Sequence, residues 1–339
     1  MQLPLLAKDT EATVHLEHAL DMDGGVRVLC VIKQRFGVDL DGAVKREPGA
    51  EVKLSDELWD EEKPEGSSLK YASDLCLRKP ATDVVVKAEA MSPGKQPQRE
   101  LDVLVRVGGV ERALRVFGAR VWYKGLTGLA FTPPEPFEAM PLKWELSFGG
   151  RDTSTGTLLE EPRNPVGAGF VADTSALVHQ PLPNVEDPRA LIKNEKSRPK
   201  PAGVAPIMHH WAPRKDYAGT HDDYWLRERL PLSPLDFDAR HNQIAPSELI
   251  YPGYLRGGEQ VDLYNLCEAG ALRFTLPKLS FFVGAQVESG LVSQPVVLDT
   301  LILEPNEQRF EMVWRSSVPV PARMHELYGV QVNEREVLR

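Results

Sequence analysis

Between Pro141 and Glu259 the chain holds no long periodic apolar run, and this limits its possible folds more than any other feature. Neither an amphipathic helix nor a half-buried strand can be laid along such a stretch, because both need apolar residues recurring at a fixed spacing. It is crowded instead with Gly, Pro, Trp, His and Asp. Examples are Trp144-Glu145-Leu146-Ser147-Phe148-Gly149-Gly150, Asn164-Pro165-Val166-Gly167 and Gly219-Thr220-His221-Asp222-Asp223-Tyr224-Trp225. Turn-forming composition of this kind belongs to a disordered linker or to a loop-built, heavily hydrogen-bonded core. The recurring Trp and Phe favour the second, since those rings are what a packed core needs. The expectation is a long, ordered and irregular region held between regular elements on either side.

Those flanks read as strands. Val26 to Leu40 alternates and is β-branched, as a strand or a hairpin would be. Asp83 to Ala90 is a further strand. Leu101 to Val107, the Gly108-Gly109 turn and the run from Glu111 to Trp122 make a hairpin. Trp144 to Phe148 reads as a short strand. After the loops come Val261–Leu266, Leu272–Pro277, Leu279–Val287 and a hairpin from Val296 to Arg315, turning at Glu304 to Glu307. Helical period is weak; the candidates are Ser55 to Glu62, Val185 to Asn194 and Pro246 to Leu255. The fold class expected is mainly β, a hairpin-rich sandwich or open barrel with long ordered Gly/Pro/Trp-rich central loops and a few short helices. The parts are a strand-rich 1–140, an irregular 141–260 and a strand-rich 261–339 that packs with the first part as one unit.

Charge narrows the partners. With 40 Lys and Arg against 49 Asp and Glu, the net charge is −9, which disfavours nucleic acid or an anionic membrane surface. No apolar run approaches the ~20 residues of a membrane-spanning helix. The first residues lack the basic start and apolar stretch of a signal peptide, so the expected location is the cytoplasm. Cys30, Cys76 and Cys267 are far apart, and reduced thiols are the expectation.

No phosphate-cradling loop, nucleophile elbow or His-Glu-x-x-His helix is present. One grouping could carry chemistry: His209, His210, His221, Asp222, Asp223, Asp236, Asp238 and His241, as a metal site or an acid–base pair. Its spacings match no ligand template, so Asp236 and Asp238 are read as structural, capping turns or pairing with Arg227, Arg229 or Arg240. Neither catalytic residues nor a metal or other cofactor are expected. Trp144, Phe148, Trp211, Arg214 and Trp225 are candidate partner-binding residues, because aromatic side chains and Arg dominate interface hot spots. Core burial is the competing reading of each ring. Gly149, Gly150, Asn164 and Gly167 are read as structural loop positions.

Several stretches together resemble a bacterial family catalogued as domain of unknown function 2169. They include Lys79-Pro80-Ala81-Thr82-Asp83-Val84, Val116-Phe117-Gly118-Ala119-Arg120-Val121-Trp122, the Trp144 to Gly150 and Asn164 to Phe170 segments, Gly219 to Trp225, Pro234-Leu235-Asp236-Phe237-Asp238, and Leu298 to Arg315. Ala119 departs from the Asp expected in the Gly-Asp-Arg turn, and His221 from an aromatic residue expected after Gly-Thr. The resemblance implies a type VI secretion adaptor or chaperone, not an enzyme. Such a protein would bind an effector, often one with a PAAR-type tip, and help load it onto a VgrG-type spike. A metal-dependent hydrolase using residues 209–241 and a structural component of the secretion apparatus are the alternatives.

Overall fold

A computed structural model describes residues 3–126, 128–321 and 326–335. The chain is mainly β, and its sheets are open, which selects the sandwich over the barrel. The largest sheet has seven strands. Its order is Ile250–Tyr251, Thr82–Val86, Val297–Glu304, Arg309–Pro319, Val26–Val38 and Thr13–Leu20, with Val44–Glu47 added beside Val26–Val38. Thr82–Val86 and Val297–Glu304 run parallel; the other pairings are antiparallel. A five-stranded sheet takes Val185–Glu186, Val110–Phe117, Glu100–Val107, Gln260–Tyr264 and Ala271–Thr275 in that order. A four-stranded sheet takes Leu5–Asp9, Leu327–Arg335, Ser280–Val287 and Gly290–Ser293. The large sheet thus joins strands from both ends of the chain.

Period-two alternation explains how the three sheets meet. Phe36 lies opposite Phe310 and Ile32 opposite Trp314, so Ile32, Phe36, Phe310, Met312 and Trp314 share one face of the large sheet. Phe310 stacks on Phe36 at 5.0 Å and on Phe274 of the five-stranded sheet at 4.8 Å. Trp314 meets Phe281 of the four-stranded sheet edge-on at 4.9 Å. Both smaller sheets therefore cover the same face, and the main core lies between. Each large apolar side chain fully buried there contributes about 1.5–3 kcal/mol.

The hairpins expected at Gly108-Gly109 and at Glu304–Arg309 form, the latter around a 3-10 turn at Pro305–Glu307. The second strand of the first hairpin stops at Phe117, and at Gly118 the backbone lies so close to the Glu135 carbonyl that a Cβ would fall 1.7 Å from that oxygen. Four sequence expectations are corrected. Trp144–Leu146 is a 3-10 turn, and only Phe148–Gly149 is extended. In place of a helical turn at Ser55 to Glu62 there is a two-residue strand, Glu57–Leu58. Val185–Glu186 is a two-residue edge strand, paired with Arg115 and Val116 at the end of the five-stranded sheet. Pro246 to Leu255 supplies a single 3-10 turn, Ser247–Leu249, and the strand Ile250–Tyr251. Short apolar runs fit either period, and tertiary pairing decides between them. Among the described residues no helix is long and apolar enough to cross a membrane.

Candidate functional site

The irregular middle is built around Asn164, which is fully buried. Its side-chain amide donates to the carbonyls of Trp144 (2.8 Å) and Phe148 (3.0 Å), and its backbone carbonyl accepts from the Gly150 amide (2.9 Å). Segments 147–150 and 164–169 can touch only because Gly149 and Gly167 have no side chain. A Cβ at Gly149 would fall 2.1 Å from the Asn164 carbonyl oxygen, and one at Gly167 would fall 2.6 Å from that of Ser147. Gly149, Gly150, Asn164 and Gly167 thus meet in one knot.

The aromatic residues divide into interior and surface. Trp144 is 4% exposed and donates from Nε1 to the carbonyls of Ala205 and Pro206. Trp211, 1% exposed, lies edge-on to it at 6.4 Å, in a small core with Leu69, Ala205, Ile207 and Met208. Phe148 is buried with Trp122, Leu177, Leu182 and Ile192. As surface contacts for a partner, Trp144, Phe148 and Trp211 are therefore corrected. A region without long strands or helices has no regular apolar face, so its largest rings must themselves form the core. Arg214 is half-buried and donates to the carbonyls of Ile207 and His241 (2.5 and 2.9 Å), joining two loops. Of the five candidates, Trp225 stays half-exposed on a projecting loop.

The His and Asp residues of 209–241 do not converge. Asp236 accepts from the amide and hydroxyl of Thr220, and these bonds hold its carboxyl below the usual carboxylate range. Asp238 caps the Arg240 amide and pairs with its guanidinium at 2.6 Å, also with a lowered pKa. Arg227 and Arg229 donate to backbone carbonyls instead. His209 points toward Asp56 at 3.8 Å, His221 rests on Trp225, and His241 Nδ1 meets the Arg214 carbonyl. Burial pushes His210 and His241 below the ordinary imidazole value. Among the described residues no group of three or more His, Cys, Asp or Glu is arranged to hold a metal ion.

Sequence reasoning missed the charged layer on the other face of the large sheet. Lys33, Glu311 and Arg315 alternate with core residues on their strands and so point away from the apolar core. Lys33 pairs with Asp74 (2.9 Å) and Glu311 (3.1 Å), Arg315 with Asp299 (2.5 Å), and Lys79 with Asp83 (2.8 Å) and the Thr300 hydroxyl (2.8 Å). Asp83 also accepts the amides of Ile244 and Ala245, and the Asp74 and Cys76 carbonyls accept from Arg315. Chain segments 50–79 and 202–245 thereby cover this face through charged contacts. The cavity between them, about 10 Å³ and lined in part by Tyr71, Asp74, Lys79 and Thr300, has room for about one water. Every charge in the layer has an opposite partner, an arrangement that locks loops onto a sheet. The signal was present in the sequence as single charges inside apolar runs, such as Lys33 and Asp299.

The projecting loop differs. Asp238 N bonds back to the Tyr217 carbonyl (3.0 Å), so the two ends of the segment 217–238 meet at one point. Asp222 caps the amide of Trp225, and Trp225 Nε1 donates to the Leu232 carbonyl at 2.8 Å. Outside this staple Tyr224, Leu226, Leu230 and Leu235 are 53–64% exposed.

A family model described as "Uncharacterized protein conserved in bacteria (DUF2169)" matches residues 23–315. No curated protein and no solved structure matches the chain.

Proposed function

We propose a function from the premise that the chain belongs to the DUF2169 family of proteins conserved in bacteria. The protein is a binding protein of the type VI secretion machinery, an adaptor or chaperone. It takes up an effector, of the PAAR-type class, in the cytoplasm and hands it to the VgrG-type spike. One observation supports a binding role. Of the polar side chains that offered chemistry, Asp236, Asp238 and His241 are taken up by Thr220, Arg240 and the Arg214 carbonyl, whereas Tyr224, Leu226, Leu230 and Leu235 stand exposed on an ordered loop. Exposed apolar groups clustered on a stiff support suit recognition of another chain at low ordering cost.

The test is a pull-down with the effector encoded beside this gene, joined to a secretion assay in a strain lacking the protein. The expected result is capture of that effector and loss of its export from the deletion strain. An effector that neither binds nor needs this protein to leave the cell would overturn the reading.

A further inference from the structure

We infer that residues 219–236 form the docking surface and that they receive a cationic amphipathic segment of a partner protein; the partner's identity rests on the adaptor reading, the chemistry of the surface does not. The loop sorts its own side chains. Trp225 and Arg229 face inward, the first bonded to the Leu232 carbonyl, the second to the carbonyls of Ser233 (2.9 Å) and Met22 (2.7 Å). Leu232 is seated against Gly24 in the turn between Thr13–Leu20 and Val26–Val38. At the base, Asp236 holds the amide and hydroxyl of Thr220. The loop is therefore fixed to the large sheet before any partner arrives.

Tyr224, Leu226, Leu230 and Leu235 are left outside that scaffold, within twelve residues of sequence. One exposed leucine needs no explanation, but three leucines and a tyrosine exposed within one ordered loop are the apolar surface a contact would use. The charges around them identify the occupant. Asp222, Asp223 and Glu228 are exposed, and among the described residues neither Asp223 nor Glu228 has an ion-pair partner. Arg229 donates to the Ser233 and Met22 carbonyls, and Arg227, exposed, donates from Nε to the Asp223 carbonyl, so one exposed cation stands against the three exposed carboxylates Asp222, Asp223 and Glu228. The surface presented is apolar with an anionic rim, on a chain of net charge −9. Such a rim repels nucleic acid and anionic lipid, and it complements a peptide whose Leu-type residues are flanked by Lys or Arg.

The probe is a fluorescein-labelled amphipathic peptide of Leu and Lys, titrated with the full chain and followed by anisotropy. A second peptide keeps the Leu positions and replaces Lys by Glu. The expected result is binding of the Lys peptide that weakens with salt, and binding of the Glu peptide at least about tenfold weaker. The triple variant Tyr224→Ser, Leu226→Ser, Leu230→Ser should weaken the Lys peptide by about 30-fold or more, whereas Leu158→Ser elsewhere on the surface leaves it unchanged. Peptide-induced protection of 224–235 against hydrogen exchange in the unmodified chain gives the same answer without any variant. Equal binding of both peptides, undiminished binding by the triple variant, or protection elsewhere than this loop overturns the inference. The effector pull-down separates the two readings. An effector captured equally by the triple variant sinks the docking surface and leaves the adaptor role standing. Loop-dependent peptide binding with no effector capture does the reverse.

Discussion

Removing the carboxylate of Asp299 tests whether the charged layer of the large sheet holds the loops in place. Asp299 is fully buried and Arg315 is 2% exposed; they meet at 2.5 Å, and Arg315 also donates to the carbonyls of Asp74 and Cys76. Asp299→Ala leaves a guanidinium in the interior with carbonyl oxygens but no counter-charge. Breaking one side of such a pair costs about 3–5 kcal/mol, because desolvation of the remaining charge is no longer offset. Unfolding entropy near 2.1 cal/mol/K per residue gives about 0.7 kcal/mol/K for a chain of this length, so the melting temperature should fall by about 4–7 °C. Calorimetry and denaturant titration of the single variant and of the double variant Asp299→Leu, Arg315→Met measure this. The double variant, which removes both charges and keeps apolar volume, should recover at least half of the loss, since replacing a whole buried pair is often close to neutral. A single variant that melts within about 1 °C of the parent would refute the reasoning, given that the same entropy makes any real loss visible. So would a double variant less stable than the single one.

Two further outcomes follow from the same structure. Glu304 accepts from Arg309, Tyr71 and Lys87; burial alone would raise its pKa, but these partners bring it from 4.5 down to about 2. A depressed carboxylate gives stability that is full above its unfolded value and is lost as pH falls through the folded one. The advantage of the parent over Glu304→Gln, on the order of 3 kcal/mol, should therefore be complete above pH 4.5 and shrink steadily toward pH 2 in urea titrations; a constant difference across that window would contradict it. Gly203 lies against the Trp144 indole, where a Cβ would come within 2.9–3.0 Å of three ring atoms. Gly203→Ala should accordingly cost about 1–3 kcal/mol and alter the tryptophan emission, and a neutral substitution would mean that the small Trp144–Trp211 core can shift.

Much of the architecture can be read from local pattern. Alternation in Val26–Val38 and in Leu101–Val107, with Gly108-Gly109 between apolar runs, dictates strands and a hairpin whatever the surroundings, because period two creates one face that must be covered. The lack of any period between Pro141 and Glu259, together with its tryptophans, likewise marks an ordered region built from loops. Local pattern does not say which ring is core and which is surface. Trp211 and Trp225 stand in similar company of His, Pro and Arg, yet Trp211 is 1% exposed and Trp225 half-exposed. The difference is that Trp211 has Trp144, Leu69 and Met208 around it, the first two brought there from more than sixty positions earlier in the chain. The parallel pairing of Thr82–Val86 with Val297–Glu304 and the joining of Lys33 to Asp74 and Glu311 are settled in the same way. A residue's periodicity fixes which face it shares with its neighbours, whereas what that face meets depends on chain segments far away in sequence. The core of a loop-built region, its buried charges and its exposed apolar loop are all properties of such meetings, and so only the tertiary structure decides them.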